Sequence, residues 1–484
     1  MVKNTYINKY LGFALIINFF ISLVFLILTK DNAWISDDYP YIFGTKLFNL
    51  INNQNFFVFE FMGNPDRFNP LFWFIIQFIP ENFILWHLIV VFVFFLTSIL
   101  IFSISKKITN NNNISILTSV LFSLNYSIST KALSWNIFFG HIFNSFLGFL
   151  SILIFLNFIK KNSNKNAYLI FYLITSSLGI FIMETGLIYP LLTLVIVYLF
   201  ERNNLLKKSI IILSPLIFYV LIVLLYTGKV LPNFFDRLHN QTFNIDKNKF
   251  SKDMDEDLYH YRSTYAPRDL KGYSLRVFDN LILSMNISSI EDTIKFYDKD
   301  NNFKNNLKKK LPIIIVFFIL FLSIFIFFLY KEISKSKNKH TFNKIIFLYI
   351  FTFLIYSLVF FRRDLNLALS FSSGLLISFV VCNFYERKKY ILFYFILTLF
   401  ILPSILYAST KFEYFGDFKR SENILVFEKY KNLSREKNLN KNIKTYNDFK
   451  YYYYFKNYKS YKSEISKYKN LSLNNFIIRF DFDQ

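Results

Sequence analysis

Asp37 and Asp38 stand side by side in the run Trp34-Ile35-Ser36-Asp37-Asp38-Tyr39-Pro40-Tyr41, just beyond the first long apolar block. Two carboxylates at a membrane surface could take a proton from an attacking hydroxyl, or hold a divalent cation. The competing use is structural. Asp38, before Tyr39-Pro40, could cap a short surface helix through Asn49, which employs one carboxylate and leaves its neighbour unexplained. Further on, Arg67 lies in Gly63-Asn64-Pro65-Asp66-Arg67-Phe68-Asn69-Pro70-Leu71. A guanidinium among apolar residues suits a phosphate through charge-assisted, paired hydrogen bonds; snorkelling, or pairing with Asp66, is the plainer alternative.

Glu184 falls between two apolar blocks, in Phe181-Ile182-Met183-Glu184-Thr185-Gly186-Leu187-Ile188-Tyr189-Pro190. Acids inside a membrane are costly and mark functional positions, although a carboxylate at the lip of the bilayer could simply cap the next helix. Arg362 and Arg363 occupy the turn Phe361-Arg362-Arg363-Asp364-Leu365-Asn366-Leu367 between two late apolar blocks. An anionic partner is expected there: a lipid headgroup, a substrate phosphate, or Asp364 for one of the pair. His141, in Phe138-Phe139-Gly140-His141, could line a polar cavity or be a hydrogen-bonded core histidine.

Other chemistries are excluded. The five histidines are isolated and form no H-E-x-x-H, and the single cysteine, Cys382, allows neither a disulfide framework nor a cysteine-based metal site. There is no phosphate-binding G-x-x-x-x-G-K-[ST] loop. Triplets such as Asn125-Tyr126-Ser127 arise by chance in so asparagine-rich a chain. The net charge of +23 would suggest nucleic acid in a soluble protein. Here Lys, Asn, Ile, Phe and Tyr are all over-used, and much of the lysine sits in short loops between apolar blocks, so no nucleic-acid partner is expected.

The elements that must hold these residues are membrane helices. Hydrophobic residues make up 54% and charged residues 18% of the 484, against about 25% charged in soluble domains. Blocks of about 18 or more apolar residues match a hydrocarbon core about 30 Å thick. The first runs from Leu11 to Leu28 and reads as an uncleaved helix, because Thr29-Lys30-Asp31 lacks a small-x-small cleavage pattern. Further spans are expected at 83–104, 114–127, 136–159, 168–183, 185–200, 209–227, 312–330, 344–361, 366–385 and 390–407. The fold class is an all-α polytopic membrane protein of about eleven helices, with 114–127 and 168–183 short for a full crossing. Lys106-Lys107, Lys160-Lys161-Lys165, Arg202-Lys207-Lys208, Lys331 to Lys344 and Arg387-Lys388-Lys389 fall on the N-terminal side, so the N-terminus is expected in the cytoplasm. Trp34, Trp73, Trp86 and Trp135 then fall near outer helix ends, as an interfacial belt would. The outer segments are about 29–82 and 228–311, and the tail 408–484 forms a small extracytoplasmic region after the module 1–407. No internal repeat argues for a transporter of two related halves.

Taken in order, these sites resemble the GT-C superfamily of membrane glycosyltransferases, in the branch of the protein mannosyltransferases and the lipid A aminoarabinose transferase. The shared pattern is an uncleaved first helix; an acidic pair in the first outer loop (Asp37-Asp38); a basic residue before a proline (Arg67, Pro70); a Lys-Glu between apolar blocks before a proline, here Met183-Glu184 before Pro190; and a late outer arginine. Met183 departs from it, standing where the family has lysine, so another base such as Arg67, Arg362 or Arg363 would hold a donor phosphate. The resemblance implies transfer of a sugar from a polyprenyl-phosphate-linked donor to a glycan, lipid or protein acceptor on the outer face of the cell (inner) membrane, with inversion. Asp37 or Asp38 would be the base, and Glu184, Arg362, Arg363, Arg67 and His141 would bind substrate. No nucleotide site is required, and a divalent cation could sit at Asp37/Asp38. The rival classes are a flippase or transporter of lipid-linked sugar, a polysaccharide polymerase or ligase, and a non-catalytic membrane scaffold.

Overall fold

The computed structural model describes residues 2–29, 70–78, 83–125, 139–160, 165–201, 203–227, 339–359 and 367–386, with isolated positions at 277, 280, 281, 284, 327, 331, 388–391, 393, 394, 397 and 398. Nearly all of these are helical, and among the described residues there is no strand. The helices are α1 (Val2–Thr29), α2 (Pro70–Phe78), α3 (Phe83–Thr109), α4 (Asn112–Ser123), α5 (Phe139–Lys160), α6 (Lys165–Ile182), α7 (Ile188–Phe200), α8 (Leu205–Thr227), α9 (Lys339–Leu354) and α10 (Leu367–Glu386). A 3-10 turn, Glu184–Leu187, joins α6 to α7, and a π turn, Ile355–Val359, extends α9. Among the described residues, five helices are long and apolar enough to cross a membrane: α1, α3, α5, α8 and α10.

Where these helices sit in the bundle follows from burial. Only 22% of the apolar window of α1 and of α8 is buried, against 94% for α10. The outer faces are correspondingly apolar, with Ile16, Phe19, Phe20 and Val24 on α1 and Ile210, Phe218 and Leu225 on α8 all exposed. Such surfaces belong against lipid. α10 packs on α4, α5 and α9, its Gly374 against Thr118 and Leu121 of α4.

With apolar faces on both sides of every contact, the polar residues fix which helices pair. Asn18 of α1 donates to Ser119 (3.1 Å) and accepts from Ser123 (2.6 Å), both on α4, and Ser123 also meets Ser98 of α3 at 2.7 Å. Thr352 of α9 and Ser372 of α10 are 2.5 Å apart. Interhelical bonds of this kind stabilise membrane bundles by about 0.6–2 kcal/mol each. Pro215 interrupts α8 and deprives the Ile211 carbonyl of its helical donor. Ser214 Oγ donates to that oxygen at 2.8 Å, and Tyr172 of α6 donates to the next one, Ile212, at 2.9 Å. Backbone groups in hydrocarbon need such partners.

One end of the bundle is rich in lysine. The α3–α4 corner turns through Asn110 in a left-handed conformation (φ 53°), and Asn111 caps α4 by accepting from the amides of Asn113 and Ile114. Asn111 also donates to Glu386 at the end of α10 (3.2 Å). Lys388, likewise left-handed (φ 58°), closes α10 with the paired bonds of a Schellman motif, Lys388 N–H to Tyr385 and Lys389 N–H to Phe384. Lys344 lies over the Phe200 ring at the end of α7, and Phe342 stacks on Phe379 of α10. Corners distant in sequence therefore meet on one face, called below the lysine end.

Three expectations need correction or qualification. The segment 29–82, read as an outer loop, contains α2, which begins with Pro70 at its first position and buries Phe72 and Ile76. Nine residues are too few to span a bilayer, yet α2 is docked on the bundle. Trp86 stands near the start of α3, as expected, but it is fully buried, edge-on to Phe139, and takes no part in a lipid-facing belt. The spans expected at 312–330 and 390–407 and the tail 408–484 lie wholly or mostly outside the described residues, as does most of 228–311.

Candidate functional site

α6 leaves the lysine end and rises for 18 residues, about 27 Å at about 1.5 Å per residue. Its end therefore lies nearly a full hydrocarbon thickness away. There the chain breaks. Met183 is extended (φ −150°, ψ 137°), and Glu184 opens the 3-10 turn before Ile188 starts α7. Glu184 is thus placed at the corner between two apolar helices, at the end opposite the lysines, as its sequence context predicts.

The corner is held by α5. His141, Asn144, Ser145 and Gly148 fall at helical spacing on one face of that helix. Asn144 is 1% exposed. Both ends of its amide are satisfied when the nitrogen donates to the Gly179 carbonyl (3.2 Å) and the oxygen accepts from the Gly186 N–H (2.9 Å) and the Thr185 hydroxyl (3.0 Å). Gly186 is required by space: a Cβ there would lie 2.8 Å from the Gly179 carbonyl oxygen and 2.8 Å from Ile180 Cα. The turn closes on itself as well, through Gly186 N–H to the Met183 carbonyl at 2.8 Å. One turn on, Gly148 makes room for the Tyr189 ring, and the Ser145 hydroxyl interacts with the Tyr189 phenol while donating to the His141 carbonyl (2.8 Å).

The flanks of two other motifs reach the same end. The Phe72 ring of α2 lies against Gly140, where a Cβ would come within 2.6 Å of it, and Gly140 directly precedes His141. Arg67 is three residues upstream of Pro70, at the start of α2. Tyr356, in the π turn of α9, lies within electrostatic reach of Tyr189, and its neighbour Ser357 accepts from Asn280 at 3.1 Å. Arg362 and Arg363 fall in the seven-residue connection between that π turn and Leu367, the first residue of α10. π turns inside helices are frequent at functional sites because they widen the helix and redirect its side chains.

Of the sequence-derived candidates, the structure places Glu184 in the backbone of the corner. It buries His141, 8% exposed, on the helix face that holds that corner. Asp37, Asp38, Arg67, Arg362 and Arg363 lie outside the described residues, so their mutual distances, and any cation held by the aspartates, do too. Among the described residues no three His, Cys, Asp or Glu side chains gather as metal ligands would. Asn144, Thr185 and Gly186 escaped the sequence reading. Their signal was a polar and small stripe, His141-Asn144-Ser145-Gly148, at i, i+3, i+4 and i+7 in an otherwise apolar block.

No protein-family model matches the chain, and no curated protein matches it in sequence.

Proposed function

We propose that this protein is an integral membrane glycosyltransferase of about eleven helices with a GT-C-like architecture. It moves a sugar from a polyprenyl-phosphate-linked donor to an acceptor on the extracytoplasmic face. The observation that carries this reading is the Glu184 corner: a carboxylate-bearing break between two apolar helices, at the end opposite the lysines, to which the flanks of the Arg67 and Arg362-Arg363 segments also lead.

The chemistry follows from residue types. Asp37, with Asp38 in reserve, takes the proton of the acceptor hydroxyl as its oxygen bonds to the anomeric carbon. The bond from that carbon to the phosphate oxygen breaks on the opposite face of the sugar, which inverts the centre. The electron pair leaves on the phosphate, a good leaving group that needs charge stabilisation more than a proton. Arg67 and Arg362 or Arg363 supply it. Glu184 binds sugar hydroxyls. A lipid donor explains why the site is in a membrane protein and why no nucleotide-binding loop is needed.

Purified protein in nanodiscs, supplied with polyprenyl-phosphate sugars, is expected to release polyprenyl phosphate in step with acceptor glycosylation. Mass analysis of surface glycolipids in a strain lacking the gene should show a missing sugar. Intact donor appearing on the opposite leaflet without bond cleavage would identify a flippase instead.

A further inference from the structure

Asn144 is a buried amide in an apolar helix, and its side-chain partners lie on the corner that carries Glu184. With the amide turned so that both its ends are satisfied, its nitrogen holds the last turn of α6 through Gly179, and its oxygen holds the 3-10 turn through Gly186 and Thr185. The arrangement leaves no slack. A Cβ at Gly186 would come within 2.9 Å of the Asn144 side chain and 2.8 Å of the Gly179 carbonyl oxygen, so Gly186 has no space for a side chain. Three groups on two segments are therefore referred to one rigid helix, with Glu184 in the stretch between them.

We infer that Asn144 is the positioning residue of this site, fixing the path of residues 183–186 and thereby the direction in which the backbone presents Glu184. Removing the amide does not strip the turn of all its bonds. The Gly186 N–H keeps the Met183 carbonyl, and the Gly179 carbonyl keeps the Met183 N–H at 3.3 Å. Asn144→Ala is therefore expected to loosen the corner while the bundle stays folded. Asp at this position would accept from Gly186 and Thr185 but turn a lone pair on the Gly179 carbonyl, so the isostere should fail as Ala does. Thr185→Ser keeps the hydroxyl that Asn144 accepts from, and Thr185→Val removes it.

The test has two arms, of which only the kinetic one rests on the transferase reading. In the first, hydrogen exchange of the 183–187 backbone is followed in the full-length protein in nanodiscs. Thr185→Val should raise its rate by about tenfold, as expected for one lost buried hydrogen bond, and Asn144→Ala by about tenfold or more, since it removes all three, while Thr185→Ser exchanges as wild type. A sulfhydryl introduced by Glu184→Cys, with Cys382→Ser to remove the native thiol, gives the same readout by maleimide labelling with and without Asn144→Ala. In the second arm, Asn144→Ala should lower kcat by about tenfold or more, with donor KM within about threefold of wild type. Unchanged exchange at 183–187 would overturn the inference whatever the activity. Faster exchange with unaltered kcat would reduce Asn144 to a stabilising contact and also overturn it. Faster exchange in a protein inert towards every donor would keep the corner's anchor and remove the transferase reading.

Discussion

Gly148 of α5 lies face to face with the ring of Tyr189 of α7, so close that a single methyl group at position 148 would overlap the ring. Tyr189 is 2% exposed and also packs edge-on to Phe149. The ring has nowhere to retreat. α5 and α7 therefore approach through a glycine, and the interaxial distance at this level is set by ring thickness.

Gly148→Ala should accordingly destabilise by about 1–3 kcal/mol, the usual penalty for overpacking a tight contact. The same substitution at Gly12, which has nothing within 4 Å, should be neutral or slightly stabilising, because Ala favours helix over Gly by about 0.8–1.0 kcal/mol. Thermal midpoints of the two variants in the same detergent, one lowered and one not, check the contrast.

Asn18 ties α1 to α4, and its removal leaves Ser119 and Ser123 without their shared partner. Asn18→Ala is expected to cost about 1–2 kcal/mol. Adding Ser123→Ala should cost less than the sum of the single changes, since both remove the same bond. A double-mutant cycle on unfolding in mixed micelles measures the difference, and strict additivity would mean that the 2.6 Å contact contributes nothing.

Asp37→Asn should leave folding nearly intact, with at most about 1–2 kcal/mol lost if the residue also caps a helix. Transfer should fall by about two orders of magnitude or more. If Asp37→Asn and Asp38→Asn both make normal product, the acidic pair is not the base.

Arg67→Lys, Arg362→Lys and Arg363→Lys separate a phosphate clamp from lipid anchoring. Losing one charge-assisted bond is worth about 1.5–3 kcal/mol, so donor use should weaken about tenfold to a hundredfold in Arg67→Lys and in at least one of the other two. Lysine lacks the planar fork and should not rescue it. Wild-type donor dependence in all three variants would remove the clamp.

Reporter fusions at Asn112 and at Gln484 should report opposite compartments. Asn112 begins α4 at the lysine end, which the positive-inside rule assigns to the cytoplasm. Both reporters on one side would sink the orientation.

Helix positions were legible in the sequence because lipid leaves the backbone few options. The blocks at 83–104 and 366–385 correspond to Phe83–Thr109 and Leu367–Glu386, with ends displaced by a few residues. Which side of each block faces inward was not legible, since Leu, Ile and Phe suit lipid and core alike; Asn18, Ser98 and Ser372 were the informative residues there. α2 was missed because a nine-residue helix opened by a proline reads as loop when judged by spanning length. The Glu184 corner was visible as a lone acid before Pro190. Its anchor was not, because Asn144 becomes meaningful only once α5 is laid across residues 179–186. The π turn at Ile355–Val359 has no breaker residue to announce it.

Among the described helices long and apolar enough to span, α10 is the most deeply enclosed, and it is made long after its neighbours α4 and α5. Its slot is lined by α4, α5 and α9, and residues 123 and 386, which bracket the end of α4 and the end of α10, leave the ribosome far apart in time. At about 5–20 residues per second the interval is on the order of ten to fifty seconds. Throughout it the α4 surface around Thr118 and Leu121, later covered at Gly374, has only lipid or a provisional neighbour to face. The nascent bundle is thus open along its middle until α10 is made. Insertion factors and membrane quality control would meet a half-built cleft, and a chain stopped before residue 367 should be cleared rather than accumulate.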